Sequence, residues 1–230
     1  MDILYKSRNV IAVYKPAGVP SQSDPTGDLD IMTLTKQTLD ALGETSNLWL
    51  VHRLDRVVGG VMLFARNKET AAELSLIMQN ESYAKKRYLA VVEGEIQDGI
   101  MEDFIYKDSA ASKAYIVDRE RLGVKKCRLE AKTLSVINTE NGILSLVEVL
   151  LYTGRFHQIR AQLSHRKAAI VGDKKYGSRT RASRMPALFA YRLDIKTKFE
   201  EIKLKKLPDL NEYPWSLFTD RLFETEENYD

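Results

Sequence analysis

His52-Arg53-Leu54-Asp55-Arg56, running through Val57 and Val58 into Gly59-Gly60-Val61-Met62-Leu63-Phe64-Ala65, is the stretch on which the reading of this chain turns. Residues 61–65 form a continuous apolar run, the pattern of a strand buried on both faces. Residues 49–54 read as a second strand leading to the Asp55 loop. In extended backbone, residues two apart share a face, so Arg53 and Asp55 point one way and His52 and Leu54 the other. Aspartate is depleted in strands and seldom buried without a partner. Asp55 is therefore either a turn residue or a carboxylate held for chemistry.

Outward from this stretch, strand patterns recur at residues 10–14, 88–93, 113–117, 127–137, 143–151 and 187–195. Lys15-Pro16-Ala17-Gly18 reads as a turn, with Pro presetting φ at its second position. Residues 21–30 are polar and turn-rich, a loop. A helix is expected over 31–42, stopped by Gly43. A second helix is capped by Asn67 and carries Ala71, Leu74 and Met78 at helical spacing. A third begins after Gly154, with Phe156, Ile159 and Leu163 on one face. Asn141-Gly142 marks a hairpin. Many strands, few helices and hairpin connections predict an α+β fold: a largely antiparallel mixed β-sheet with flanking helices. No linker divides the chain, so one domain over residues 1–230 is expected, ending in a proline-interrupted, acidic tail over 207–230.

The 230 residues are 44% hydrophobic and 29% charged, the composition of a globular protein with length to bury a core. The net charge is +3, and the cations cluster. Residues 166–184 hold Arg166, Lys167, Lys174, Lys175, Arg179, Arg181 and Arg184 against the single anion Asp173. This is the footprint of a phosphate-backbone binder or, equally, a solvated basic face. Cys127 is the only cysteine, so no internal disulfide forms; a core position and a reducing compartment are expected. The N-terminus has no signal-peptide shape and no apolar run spans a bilayer, which predicts a cytoplasmic protein without membrane contact. There is no Gly-rich phosphate loop and no Cys/His ligand cluster, so neither a nucleotide cofactor nor a metal is expected. A monomer is the default.

Four motifs stand in order: Lys15-Pro16-Ala17-Gly18; His52-Arg53-Leu54-Asp55; Lys86-Arg87-Tyr88-Leu89-Ala90-Val91-Val92-Glu93-Gly94; and Gly154-Arg155-Phe156-His157-Gln158-Ile159-Arg160, followed by Gly172-Asp173-Lys174-Lys175-Tyr176-Gly177. In this the chain resembles the RluA family of pseudouridine synthases from about residue 10 to residue 195. The resemblance implies an RNA pseudouridine synthase, an isomerase acting on uridine in structured transfer or ribosomal RNA. The N1–C1′ bond breaks, the uracil turns, and C5 bonds to C1′, with no cofactor. It implies Asp55 as the catalytic aspartate at the ribose, as nucleophile or as base. Arg160 pairs with that carboxylate, and Tyr88 stacks on the uracil near the C5 proton. Arg53 fills the space left by the flipped base, an extrusion that costs a few kcal/mol. Ile159 forms an apolar floor. Lys174, Lys175, Arg179 and Arg181 are expected to bind the RNA backbone. His52 and His157 are read as structural.

The chain departs from the family pattern after Asp55, where Val57-Val58-Gly59 replaces three polar positions and predicts a less rigid loop. Leu188-Phe189-Ala190 stands where Leu-His-Ala is common. No small N-terminal RNA-binding domain precedes the motifs, so the catalytic domain's own basic surface is expected to recognise the RNA. Two competing readings remain open at this level. One is a non-catalytic RNA-binding protein or RNA chaperone on the same scaffold. The other is a hydrolase pairing Asp55 with Asp173, against which Asp173 reads better as a turn residue.

Overall fold

The computed structural model describes residues 1–180 and 182–222. Arg181 and the acidic end of the tail, with Glu224, Glu226, Glu227 and Asp230, lie outside the described residues. In chain order the elements are β1 (Ile3–Lys6), β2 (Val10–Lys15), α1 (Ile31–Ala41), β3 (Trp49–Leu50), β4 (Gly59–Ala65), α2 (Lys68–Ile77), β5 (Ala84–Glu93), β6 (Gly99–Asp108), β7 (Lys113–Val117), β8 (Val124–Thr139), β9 (Gly142–Leu151), α3 (Gln158–His165), β10 (Leu188–Lys196) and β11 (Glu201–Lys205). The chain divides into two compact units, one of residues 1–86 and 190–206, the other of residues 87–189 and 207–230.

In the first unit β1, β2 and β4 are antiparallel neighbours, with Val10 opposite Ala65 and Tyr14 opposite Val61. Every residue of β4 is buried. The continuous apolar run has a direct cause: both faces are covered. Val61, Leu63 and Ala65 pack with Leu74 and Met78 from the α2 side and with Leu193, Ile195, Ile202 and Leu204 of the antiparallel β10–β11 pair. Met62 and Phe64 pack with Ile31 and Leu39 of α1. Both helices start where the sequence places them. The Asp30 carboxylate accepts from Thr33 N and the Asn67 amide oxygen from Thr70 N, each satisfying an orphan donor of the first turn. Gly60 has φ of +133°, and a Cβ there would stand 2.2 Å from the carbonyl oxygen of Ala190. Only glycine fits that approach.

In the second unit β7, β6, β8 and β9 follow one another as antiparallel neighbours. The hairpin signalled by Asn141-Gly142 joins β8 to β9; Gly142, at φ of +113°, closes the turn. α3 covers one face of this sheet, where Ala161 meets Ile105, Ala114 and Cys127. Cys127 is 2% exposed, the core position expected. Burial and the nearby Asp103 push its thiol up to about 12.

The antiparallel α+β architecture matches the sequence reading, with differences of detail. Strand 49–54 stops at Leu50. α3 begins at Gln158, and Phe156 precedes it. β1, β6 and β11 were not expected; β11 alternates polar and buried apolar residues over only five positions, whereas β1 and β6 carry no clean alternation. In β6 the break comes from Asp103, half-buried on the helix-facing side, which accepts from Gln162 Nε2 (2.6 Å) and pairs with Arg166 at 2.8 Å.

Candidate active-site residues

The β3 ladder ends because a side chain takes over from the backbone. Past the Leu50–Phe64 pair, the N–H of Leu63 donates to Nε2 of His52 at 2.9 Å. That acceptor role requires a neutral ring with its proton on Nδ1. Burial, with Lys86 nearby, pushes the His52 pKa down to about 4. With His52 turned inward, Leu54 is buried, Arg53 is exposed and Asp55 is half-buried. The alternation expected of a strand thus survives in a loop.

Residues outside the tetrapeptide fasten this loop. The Ser21 hydroxyl donates to Leu54 O (2.6 Å) and accepts from Leu54 N (3.1 Å). The Arg56 carbonyl accepts from Gly18 N at 2.8 Å and from Lys15 Nζ at 3.2 Å. Lys15 is fully buried, and its ammonium also donates to Pro16 O and Val19 O. Burial pushes the Lys15 pKa down to about 8, against the upward pull of the Asp55 charge. The Arg56 side chain reaches Gly18 O at 2.9 Å and Thr26 Oγ1 at 2.9 Å, and pairs with Asp24 and Asp28. Val58 N closes a turn on Asp55 O at 2.9 Å, and the Val58 side chain is 3% exposed. The Val57-Val58-Gly59 departure therefore leaves no loose loop. Rigidity comes from Lys15, Ser21 and Arg56, and Val58 anchors the far side in the core. Sequence reading missed Ser21 altogether; nothing in a polar loop marks one hydroxyl as the bridge.

Tyr88 lies on β5 in the second unit, 9% exposed. Ile159 and Arg160, each 5% exposed, belong to the first turn of α3. The Arg160 fork grips a carboxylate, and that carboxylate is Asp173. Nε stands 2.6 Å from Oδ2 and Nη2 stands 2.8 Å from Oδ1. Asp173 is 1% exposed, its N–H donates to Ile170 O, and its carbonyl accepts from Tyr176 N and Ser178 N. The turn role expected for it is present, but its side chain does more: it sets the position of Arg160. Both its oxygens are engaged, which removes Asp173 as a free acid or base for hydrolysis.

His157 sits before α3 at φ of +51° with no capping bond. Its ring stacks on Phe156 at 3.8 Å, and Nδ1 is 3.0 Å from the Tyr176 hydroxyl, which accepts from Ala114 N. Burial, then the charges of Arg160, Lys175 and Lys107, push the His157 pKa down to about 3. The neutral ring carries one N–H, and its tautomer sets which of Nδ1 and the Tyr176 hydroxyl donates in this bond. The role is structural, as expected, though the bond runs to Tyr176 and not to the helix end.

The basic segment is not uniform. Arg166 is spent on Asp103, a correction to its place among the phosphate binders. Lys174 and Lys175 stand exposed on a short 3-10 helix, with Lys175 Nζ donating to Ser112 O. Arg179 has its side chain 89% exposed, yet its backbone is tied. The Glu93 carboxylate accepts from Ser178 Oγ, from the N–H groups of Arg179 and Thr180, and from Thr180 Oγ1. Those bonds hold Glu93 ionised, lowering its pKa against the opposing effect of burial. Among the described residues no group of three or more His, Cys, Asp or Glu is placed to hold a metal, and no helix is long and apolar enough to cross a membrane.

Residues 9–165 match the family model described as RNA pseudouridylate synthase, a span that is more than half of the chain and includes Asp55, Tyr88 and Arg160. The chain belongs to the RNA pseudouridylate synthase family. Among relatives in this family, ribosomal large subunit pseudouridine synthase D of Xylella fastidiosa is 34% identical over 77% of this chain and 52% of its own length. The tRNA pseudouridine synthase C of Pasteurella multocida is 31% identical over 77% of this chain and 74% of its own length. The chain thus spans about half the length of the first relative. The fold of human RNA pseudouridylate synthase domain containing 4 superposes with a TM-score of 0.76, at 24% identity, covering 96% of this chain and 93% of that one. The family match ends at residue 165, before the Asp173 that grips Arg160 and before the loop that Glu93 holds.

Proposed function

We propose that this chain isomerises uridine in structured RNA, transfer or ribosomal, to pseudouridine in a reducing cytoplasmic setting, as one catalytic domain and without a cofactor. The N1–C1′ bond breaks, C5 bonds to C1′, C5 gives up its proton and N1 takes one, so atoms and electrons balance with no co-reactant. Asp55 acts at the ribose. Tyr88 stacks on the uracil, and Ile159 provides the apolar support beneath it. Arg160, held by Asp173 through two parallel hydrogen bonds, is the cation that the family resemblance assigns to the catalytic carboxylate. Arg53, exposed beside Asp55, takes the space vacated when the base is extruded; a planar guanidinium stacks well there.

The observation that carries this reading is the presentation of Asp55. Its neighbours Leu54 and Val58 are buried and its loop is fastened by Ser21 and Lys15, while its own side chain is left half-buried. A mere turn aspartate needs no such support. Asp55→Asn keeps the shape and removes the charge. It is expected to abolish pseudouridine formation, assayed by mapping pseudouridines in transcripts incubated with each protein, while RNA affinity changes only a few-fold. Turnover near the wild-type rate would overturn the assignment.

A further inference from the structure

The sheet face of the second unit turned away from α3 takes no part in the chemistry above. Ile105 points to the helix, so Phe104 and Tyr106, its neighbours on β6, point to the other face. Residues directly opposite in an antiparallel ladder share a face. The register sets Tyr115 of β7 opposite Tyr106 and Lys126 of β8 opposite Phe104. Three aromatic rings therefore lie together on one surface, with Phe104 and Tyr106 roughly 7 Å apart along the strand.

Cations stand over these rings. Lys126 Nζ is 5.9 Å from the Phe104 centroid, Arg121 Cζ 5.8 Å from Tyr106 and Lys113 Nζ 5.3 Å from Tyr115. Three acids of β6 and β8, Glu102, Asp108 and Glu130, share the face, and Asp118 and Glu120 stand in the β7–β8 turn beside Arg121. Glu102 bridges to Arg128 at 3.3 Å, and Asp108 accepts from Ala111 N. Around the aromatic end Lys113, Arg119, Arg121 and Lys126 outnumber Asp108, Asp118 and Glu120 by one charge. Tyr115 is 42% exposed, and Leu122, at the turn between β7 and β8, is fully exposed. A face that only had to be soluble has no need of three rings interleaved with cations.

We infer that this face binds a single-stranded RNA segment flanking the modified site, with bases stacked on the rings and phosphates met by the cations. The inference rests on the proposed action on RNA. Charge complementarity selects a polyanion, and the rings select unpaired bases, whose faces are accessible to aromatic stacking without regard to sequence.

The test uses a hairpin transcript with and without a single-stranded extension of about 12 nucleotides. The extension is expected to tighten wild-type binding by about tenfold. The variant Tyr115→Ser, Arg121→Gln, Lys126→Gln is expected to lose that gain while modifying the bare hairpin at the wild-type rate. Arg121→Glu with Lys126→Glu is a second variant at exposed positions, expected to behave likewise. An extension that adds nothing for the wild-type protein, or a gain that survives in both variants, overturns the inference. So does concentration-dependent self-association lost in the charge-reversed variant, which would give the face to a second copy of the chain. If no transcript is modified but the extension effect appears and the variants abolish it, the proposed activity falls and the RNA surface stands.

Discussion

Asp173 is the residue whose role exceeds what its position in a turn requires. It holds Arg160 through both oxygens in a dry setting, where an uncompensated charge is expensive. Asp173→Asn keeps the size and one acceptor but leaves a buried guanidinium short of its counter-charge. The expected loss of stability is about 3 kcal/mol, read as a shift in the urea midpoint. A guanidinium free to shift by an ångström also predicts a fall in kcat on the order of 100-fold, with KM for RNA little changed. Wild-type kcat in a folded Asp173→Asn protein would show that Arg160 needs no such support.

At the scale of elements, the loop after the short 3-10 helix shows how a carboxylate serves a basic surface. Glu93, at the end of β5, ties down the backbone of residues 178–180 and leaves the Arg179 guanidinium exposed. Replacing Lys174, Lys175 and Arg179 by Ala is expected to weaken RNA binding. It should also flatten the dependence of log affinity on log salt by about 2, at roughly 0.7 for each single-strand phosphate that is no longer neutralised. Turnover at saturating RNA should fall far less than with Asp55→Asn, because cations at the phosphates position the RNA and do not touch the reacting base. Glu93→Gln removes no cation, yet it is expected to reproduce part of the drop in affinity by loosening the loop. An unchanged affinity and salt slope in the triple variant would make the segment a solvated face.

For the whole molecule, the two inward-facing histidines set a stability limit in acid. His52 belongs to one unit and His157 to the other; His52 accepts a hydrogen bond from Leu63 N that only the neutral ring can accept, and burial disfavours the charged form of both rings. Their folded-state pKa values, about 4 and about 3, lie below the 6.5 of an unfolded chain. The unfolded state therefore binds more protons below pH 6.5, and the stabilisation present above that pH drains away as pH falls toward 4. The slope reaches about 1.4 kcal/mol per pH unit for each histidine. Urea midpoints are expected to drop steadily between pH 7 and pH 5. His157→Asn, which tolerates the positive φ, should show a shallower decline. A midpoint constant over that range would mean that neither ring is held neutral.

What the sequence determined by itself is what depends on local pattern. The buried β4 run, the Asn67 cap and the hairpin at Gly142 are set by periodicity, capping and turn chemistry within a few residues and are where they were expected; the helix carrying Ile159 and Arg160 is present but starts at Gln158, leaving Phe156 outside it. The motifs carrying Asp55, Tyr88 and Arg160 were legible because their spacing is a property of the chain. The tertiary structure alone decided which distant groups complete them. Ser21 bridges Leu54 across 33 residues, Lys15 reaches Arg56 across 41, and the Arg160 fork goes to an aspartate of a following turn. Arg166 is withdrawn from the basic surface by Asp103, 63 residues earlier. The expected softness of the Val57-Val58-Gly59 loop failed for the same reason. A loop's rigidity depends on hydrogen bonds and burial supplied from elsewhere in the fold, and no local pattern encodes which donor a buried carbonyl will find.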